Sequence, residues 1–171
     1  MDLHAENRAL SATLRTERLT LRPIVGADVP AVVAALADWE VARWLTLVPW
    51  PYRAADAEAW IADVGVGHWA IDAGEGLIGV ISIKPDMGYW LARPAHGRGY
   101  MTEAARAVVA DHFRTTDAPL ISGHYPDNVA SRAVLRKLGF TDTHLETDRQ
   151  VSTGREVSVQ RMVLTREAWG G

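Results

Sequence analysis

Between Met87 and His112 the chain reads MGYWLARPAHGRGYMTEAARAVVADH, and the period of its apolar residues changes partway through. Met87, Tyr89 and Leu91 alternate with Gly88 and Trp90, the period-two pattern of a strand. Arg93-Pro94 ends that run, because proline brings no amide to a ladder. Beyond His96-Gly97-Arg98-Gly99, residues Ala104, Ala105, Val108, Val109, His112 and Phe113 recur at helical spacing. The segment therefore predicts strand, glycine-rich turn, helix. Amides from Arg98 to Thr102, through Gly99, Tyr100 and Met101, are then free at the helix start, where aligned peptide dipoles add positive charge. Gly97 and Gly99 have no side chain to keep a ligand from that backbone. A pyrophosphate suits such a cradle, although a glycine turn before a helix is also an ordinary junction. It is not the three-glycine dinucleotide fingerprint, since Thr102 stands in the third glycine's place, and no Gly-Lys-Ser/Thr follows to make a P-loop.

The flanking chain supplies the rest of a fold. ERLTLRPI begins with a strand over Glu17–Leu21, and Asp28 is placed to cap a helix from Val29 to Asp38, with Pro30 tolerated in its first turn. A second helix is expected from Asp56 to Val64. Strands at His68–Asp72, Leu77–Ile83 and Met87–Leu91, joined by Ala73–Gly76 and Pro85-Asp86, read as an antiparallel meander. After the central helix, Leu120–His124 is a strand that a right-handed crossover brings parallel to Met87–Leu91. Asp127 or Asn128 caps a further helix, which Gly139 closes. Phe140–His144 and a run from Glu156 or Val157 to Leu164 are the last strands, separated by a polar loop. The order predicts an α/β (α+β) fold, one domain with a mixed, mostly antiparallel sheet flanked by helices. Its span is 16–165, after a weakly ordered leader at 1–15 and before a tail at 166–171. Trp44, Trp50 and Tyr52 fall in a proline-broken aromatic stretch, Trp39–Tyr52, that either packs on the core or walls a substrate cleft.

Composition narrows the chemistry. At 171 residues and 48% hydrophobic, with seven Trp, the chain can bury one substantial core. Without cysteine there is no disulfide framework, thiol nucleophile or thiolate metal site. The six histidines show no H-E-x-x-H pattern, so no metal is expected, and the lack of G-x-S-x-G argues against a nucleophile elbow. A net charge of −3 gives no basic field for nucleic acid. The apolar runs are too short for a membrane span, and the start lacks the form of a secretory signal. The expected address is cytoplasmic.

Four stretches in this order, ERLTLRPI, GEGLIGVISI, GYWLARPAHGRGYMTEA and NVASRAVLRKLGF, resemble the GNAT family of N-acetyltransferases. More narrowly, they are similar to its ribosomal-protein N-terminal acetyltransferase (RimJ/RimL-like) branch. The resemblance covers residues 16 to 165. It implies binding of acetyl-CoA and transfer of its acetyl group to a primary amine in a ternary complex. It further implies that the pantetheine arm lies along Tyr89, Trp90 and Leu91, where their strand splays from the next, and that the pyrophosphate meets the amides of Arg98 to Thr102. Asn128 would contact the arm or nearby backbone, and Ser131 would stand near the thioester sulfur. Two positions depart from the family pattern: His96 replaces Gln or Arg, and Met101 replaces a small residue, so its side chain must point away from the phosphate.

Within that implied chemistry, Ser131 is the candidate donor to the leaving thiolate, with Tyr125 as the alternative acid. Ser131 and Asn128 also suit a plain helix start. An α-amino group with a solution pKa of about 7.7–8 is already partly neutral near pH 7 to 8, so a strong base is dispensable. His68, Asp86, His124 and Glu146 are the conceivable water-mediated acceptors. Glu103 complements the helix dipole or touches substrate. Trp44, Trp50 and Tyr52 are the substrate-binding candidates. The acceptor implied by the branch is a protein or peptide N-terminal amine. A polyamine or other small amine is the second possibility, and a non-catalytic acyl-CoA sensor the third. Monomer and homodimer both stay open.

Overall fold

The computed structural model describes residues 11–170. Strands β1 (Leu14–Arg15), β2 (Thr20–Arg22), β3 (His68–Asp72), β4 (Leu77–Ser82) and β5 (Gly88–Leu91) form an antiparallel sheet in that order. Strands β6 (Leu120–His124), β7 (Thr141–Arg149) and β8 (Glu156–Leu164) form a second antiparallel sheet, ordered β6-β8-β7. One parallel bridge, Met87 to Ser122, joins the two sheets. The crossover that predicted a parallel neighbour for the Met87–Leu91 strand is thus present, but its pairing stops almost as soon as it starts.

Period-two alternation gives the first sheet two apolar faces. Trp69, Ile71 and Ile81 enter the main core with Leu19, Leu21 and the inner face of α4 (Tyr100–Thr115). Ala70 and Val80, one residue out of phase, enter a smaller core under α1 (Val29–Leu36), α2 (Trp39–Ala42) and α3 (Ala54–Asp63). The main core also takes Leu135 and Leu138 of α5 (Val129–Leu138) and Met162 and Leu164 of β8. Among the described residues no helix is long and apolar enough to cross a membrane.

Several expectations need correction. Residues 11–15, expected in a weakly ordered leader, are seated in the fold, whereas 1–10 lie outside the described residues. Ser11 is buried and its hydroxyl accepts from the amides of Gly67 and His68, Ala12 O accepts from the Trp69 indole, and β1 pairs with β2. The expected tail contains a short helix, α6 (Arg166–Gly170), whose Trp169 packs on the main core. Asp28 does not cap α1. It is buried and takes a two-pronged bond from Arg22 at 2.8 and 2.9 Å, because a buried carboxylate needs a paired cation more than the helix needs a cap. The polar stretch after His144 is strand as far as Arg149: β7 is exposed on both faces, so it shows no apolar alternation to read.

Candidate active site

The site begins where the two sheets part. Met87 N donates to Ile121 O at 2.8 Å and Ser122 Oγ donates to Met87 O at 2.8 Å, which rivets β5 to β6 at one point. From there β5 continues on β4, through Gly88–Ser82 to Leu91–Gly79, while β6 continues on β8. The V between them opens into a cleft of about 1510 Å³ that Tyr89, Trp90, Leu91, Asn128 and Ser131 line. Its β5 wall ends at Leu91, whose carbonyl accepts from His96 Nε2 at 2.8 Å. His96, one of the two departures from the family pattern, therefore ties the glycine turn back onto the strand it leaves.

At the far side of that turn, α4 starts. Gly97 and Gly99 have φ of 72° and 77°, the left-handed region where a side chain is strained, and a Cβ on Gly97 would meet nothing within 4 Å. Gly99 is the N-cap of a 16-residue helix, so the amides that follow it, Tyr100 to Thr102, include the unpaired donors of a long dipole. Tyr100 and Met101 are both buried in the main core, and Met101 is only 6% exposed. Its side chain packs inward and leaves the turn to the backbone. Arg98 is exposed, outside the cleft lining, with its guanidinium 4.9 Å from the Tyr100 ring centre.

Arg18, in the motif near the start of the chain, braces this turn. It donates to Arg98 O at 2.9 Å, lies 4.6 Å over the Tyr100 ring and pairs with Glu103 at 2.7 Å. Glu103 also accepts from Thr16 Oγ1 and Arg18 N, which settles it as a structural anchor. Burial pushes the Glu103 pKa up, but the Thr16 and Arg18 donors outweigh it and hold the carboxyl below its ordinary value.

On the opposite wall, Asn128 caps α5 by accepting from Ser131 N at 3.1 Å. Ser131 Oγ lies 2.9 Å from the Tyr89 hydroxyl, which also donates toward Ser131 O at 3.2 Å. Burial pushes the Tyr89 phenol up to about 12, with the Ser131 hydrogen bond opposing. Tyr125 is engaged elsewhere: its hydroxyl is 3.1 Å from Thr46 Oγ1. Burial, opposed by Thr46, raises its pKa, and the nearby Asp148 adds to the rise. His124 Nδ1 sits 2.8 Å from Tyr125 O, and because a carbonyl only accepts, Nδ1 carries the hydrogen of that bond and Nε2 is the ring nitrogen left over. That Nε2 is buried in the cleft wall without a partner among the described residues, as is His68 Nδ1. Burial lowers the His68 pKa, favouring the neutral ring. Asp86 lines the cleft as well, whereas Glu146 lies outside it, clamped by Arg161.

The aromatic stretch divides. Trp44 lines the cleft with its ring centre 6.3 Å from that of Tyr125, and Tyr52 lines it while buried in the smaller core. Trp50 does not: it is 38% exposed and meets Trp39 edge-on at 4.9 Å. Trp60, in the predicted second helix but not singled out, does line the cleft. From the end of β7 Asp148 lines it too; just beyond, Gln150 is buried and donates to Arg43 O at 2.9 Å, and Val151 N donates to Thr46 O at 2.8 Å. No sequence pattern marks Gln150, because the Arg43 carbonyl that its side chain reaches is 107 residues away. Arg18 has a weak signal, since it falls in a recognisable motif.

The residues fit an acyl-CoA donor: the turn leaves open space at Gly97, α4 presents free amides, and the V offers an unpaired β5 edge beside an orphaned imidazole nitrogen. A model of the acetyltransferase (GNAT) domain matches residues 18–141. The uncharacterized N-acetyltransferase p20 of Bacillus licheniformis is 25% identical over 176 residues, 93% of this chain and 99% of that protein. A GNAT-family acetyltransferase from Bacillus anthracis superposes with a TM-score of 0.82 at 18% identity, covering 91% of this chain and 99% of the other. RimL, a ribosomal L7/L12 α-N-protein acetyltransferase solved in complex with coenzyme A, gives a TM-score of 0.74 at 21% identity over 92% of this chain and 99% of its own.

Proposed function

Because the chain belongs to the GNAT acetyltransferase family, we propose that it moves the acetyl group of acetyl-CoA to a primary amine, most specifically the N-terminal amine of a protein or peptide. The observation that carries this is the fork at Met87 and Ser122, opening directly beside the left-handed glycines at the start of α4. The α-N-protein activity of RimL supports the choice of acceptor.

Bound acetyl-CoA supplies an activated acyl carbon and a thiolate leaving group. The amides of Tyr100 to Thr102 hold its pyrophosphate, with Arg18 fixing the peptide before them. The open edge of β5 at Tyr89 to Leu91 guides the pantetheine arm, and Asn128 holds the α5 wall against it. The acceptor enters from the side of Trp44, Tyr52 and Trp60. Attack forms the C–N bond and breaks C–S, the electron pair leaving on sulfur. Ser131 Oγ–H then donates a hydrogen bond to that sulfur. Tyr125 is the alternative donor, its hydrogen free for this role when Thr46 Oγ1 is the donor in their 3.1 Å contact. The proton shed by nitrogen passes through cleft water to the thiolate, and no strong base is needed for an amine with a pKa of about 7.7–8. Holding two reactants in line can supply up to about 7–11 kcal/mol of a barrier reduction.

The test is thiol release from acetyl-CoA with three acceptor sets: peptides with free N-termini, polyamines and free amino acids. Peptides should turn over fastest. Faster turnover of a polyamine moves the assignment to small amines. Donor binding by calorimetry with no thiol release across the panel leaves an acyl-CoA sensor, and no binding ends the assignment.

A further inference from the structure

Building on the part proposed for Ser131 in acetyl transfer, we infer that Tyr89 is a positioning residue that holds the Ser131 hydroxyl toward the leaving sulfur. The two residues stand on opposite walls of the cleft, Tyr89 on β5 and Ser131 in the first turn of α5. Their hydroxyls are 2.9 Å apart, and the Tyr89 hydroxyl is also 3.2 Å from Ser131 O. The Tyr89 ring packs against the main core, so only small torsional freedom remains to its oxygen.

A serine at a helix start ordinarily turns its hydroxyl onto neighbouring backbone. Here that freedom is taken away at two points. Ser131 N is bound by Asn128 Oδ1 at 3.1 Å, and Tyr89 bonds the carbonyl and the hydroxyl of the same residue. The single Tyr89 hydrogen goes either to Ser131 O or to Ser131 Oγ; when it goes to Oγ, the shorter of the two contacts, the serine hydrogen is left to point into the cleft. Proton bookkeeping supports positioning over proton donation. A phenol that burial has pushed up to about 12 keeps its hydrogen near neutrality. Tyr89 therefore donates a hydrogen bond without ionising, and both hydroxyls end the transfer with the hydrogens they began with. The hydrogen that reaches sulfur is the one lost from the amine.

The test is a double-mutant cycle with Tyr89→Phe, which deletes one oxygen and keeps the ring in the core. Tyr89→Phe and Ser131→Ala should each lower kcat about tenfold with donor affinity by calorimetry unchanged, and the double variant should be no slower than Ser131→Ala. In a Ser131→Thr background, which restores a hydroxyl, Tyr89→Phe should again cost activity. Full kcat in Tyr89→Phe, or the same loss with and without Ser131, overturns the inference and leaves acetyl transfer standing. Full kcat in Ser131→Ala removes the serine's part and the tyrosine's with it. A second readout keeps Tyr89 intact: the tyrosine Cζ resonance of Tyr89 should move in Ser131→Ala, and an unmoved resonance also sinks the pairing.

Discussion

Arg18 and Glu103 are 85 positions apart, yet the Arg18 Nε lies 2.7 Å from Glu103 Oε2, one turn into the helix that the glycine turn begins. The same guanidinium donates to Arg98 O at 2.9 Å. In a trans peptide the carbonyl and the next N–H point in opposite directions. Fixing Arg98 O on Arg18 therefore fixes the amide of Gly99 on the other side of the plane. Glu103 holds the brace, and the brace orients the turn.

From this, Arg18→Ala is expected to weaken donor binding by roughly fivefold, the worth of a hydrogen bond of about 1 kcal/mol. The KM for the amine should stay as it is, because Arg18 does not line the cleft. Calorimetry with coenzyme A and steady-state kinetics separate the two. A rise in amine KM with unchanged donor affinity would contradict the brace.

Glu103 also makes the fold sensitive to acid. Its folded pKa lies below the ordinary glutamate value, since the Thr16 and Arg18 donors outweigh burial. The stability it contributes is thus fully present above the unfolded value of about 4.3 and is lost as pH falls through the folded one. Urea midpoints of the wild type and Glu103→Gln should differ most at neutral pH and converge below about pH 4.3. A gap that stays constant into stronger acid would assign the effect to packing.

Gln150 braces the hairpin beside the cleft wall of Thr46 and Tyr125. Its amide donates to Arg43 O, its Oε1 accepts from Thr153 Oγ1 at 2.9 Å, and the adjoining Val151–Thr46 bond brings the hairpin end to the residue that holds Tyr125. Gln150→Ala leaves the half-buried Arg43 carbonyl without this donor and loosens the wall. The KM of the amine is expected to rise roughly tenfold while the KM of acetyl-CoA is unchanged. Equal losses in both would place the hairpin's part in general stability.

What could be read from the chain follows from where each signal is stored. Local patterns sufficed for α4 and its glycines, for the Asn128 cap and for the β3–β5 meander, because hydrophobic period and turn residues are near-neighbour properties. Gln150 and Ser11 were invisible, and Arg18 only faintly marked by its motif, for the opposite reason: each matters through partners that only folding brings near. The fork at Met87 is of this second kind too, since nothing in either strand says where its pairing ends. β7 was cut short because strand patterning marks a buried face, and this strand has none.

Trp44 and Trp50 test whether the aromatic stretch walls the cleft. Both were equal candidates by composition, but only Trp44 lines the opening, beside Tyr125 and beneath the Arg43 guanidinium at 4.8 Å. Trp50 spends its contact on Trp39 at 4.9 Å, outside the lining. Trp44→Ala should raise the amine KM about tenfold without changing donor affinity, the size expected when a ring leaves a binding surface. Trp50→Ala should leave both constants within about twofold and lower stability by about 1 kcal/mol through the lost ring pair. If Trp50→Ala changed amine KM as much as Trp44→Ala, the acceptor would have to reach past the cleft rim to the Trp39 pair. An equal loss of donor and acceptor binding in Trp44→Ala, accompanied by a fall in melting temperature, would make that ring a packing element and leave Tyr52 and Trp60 as the acceptor wall.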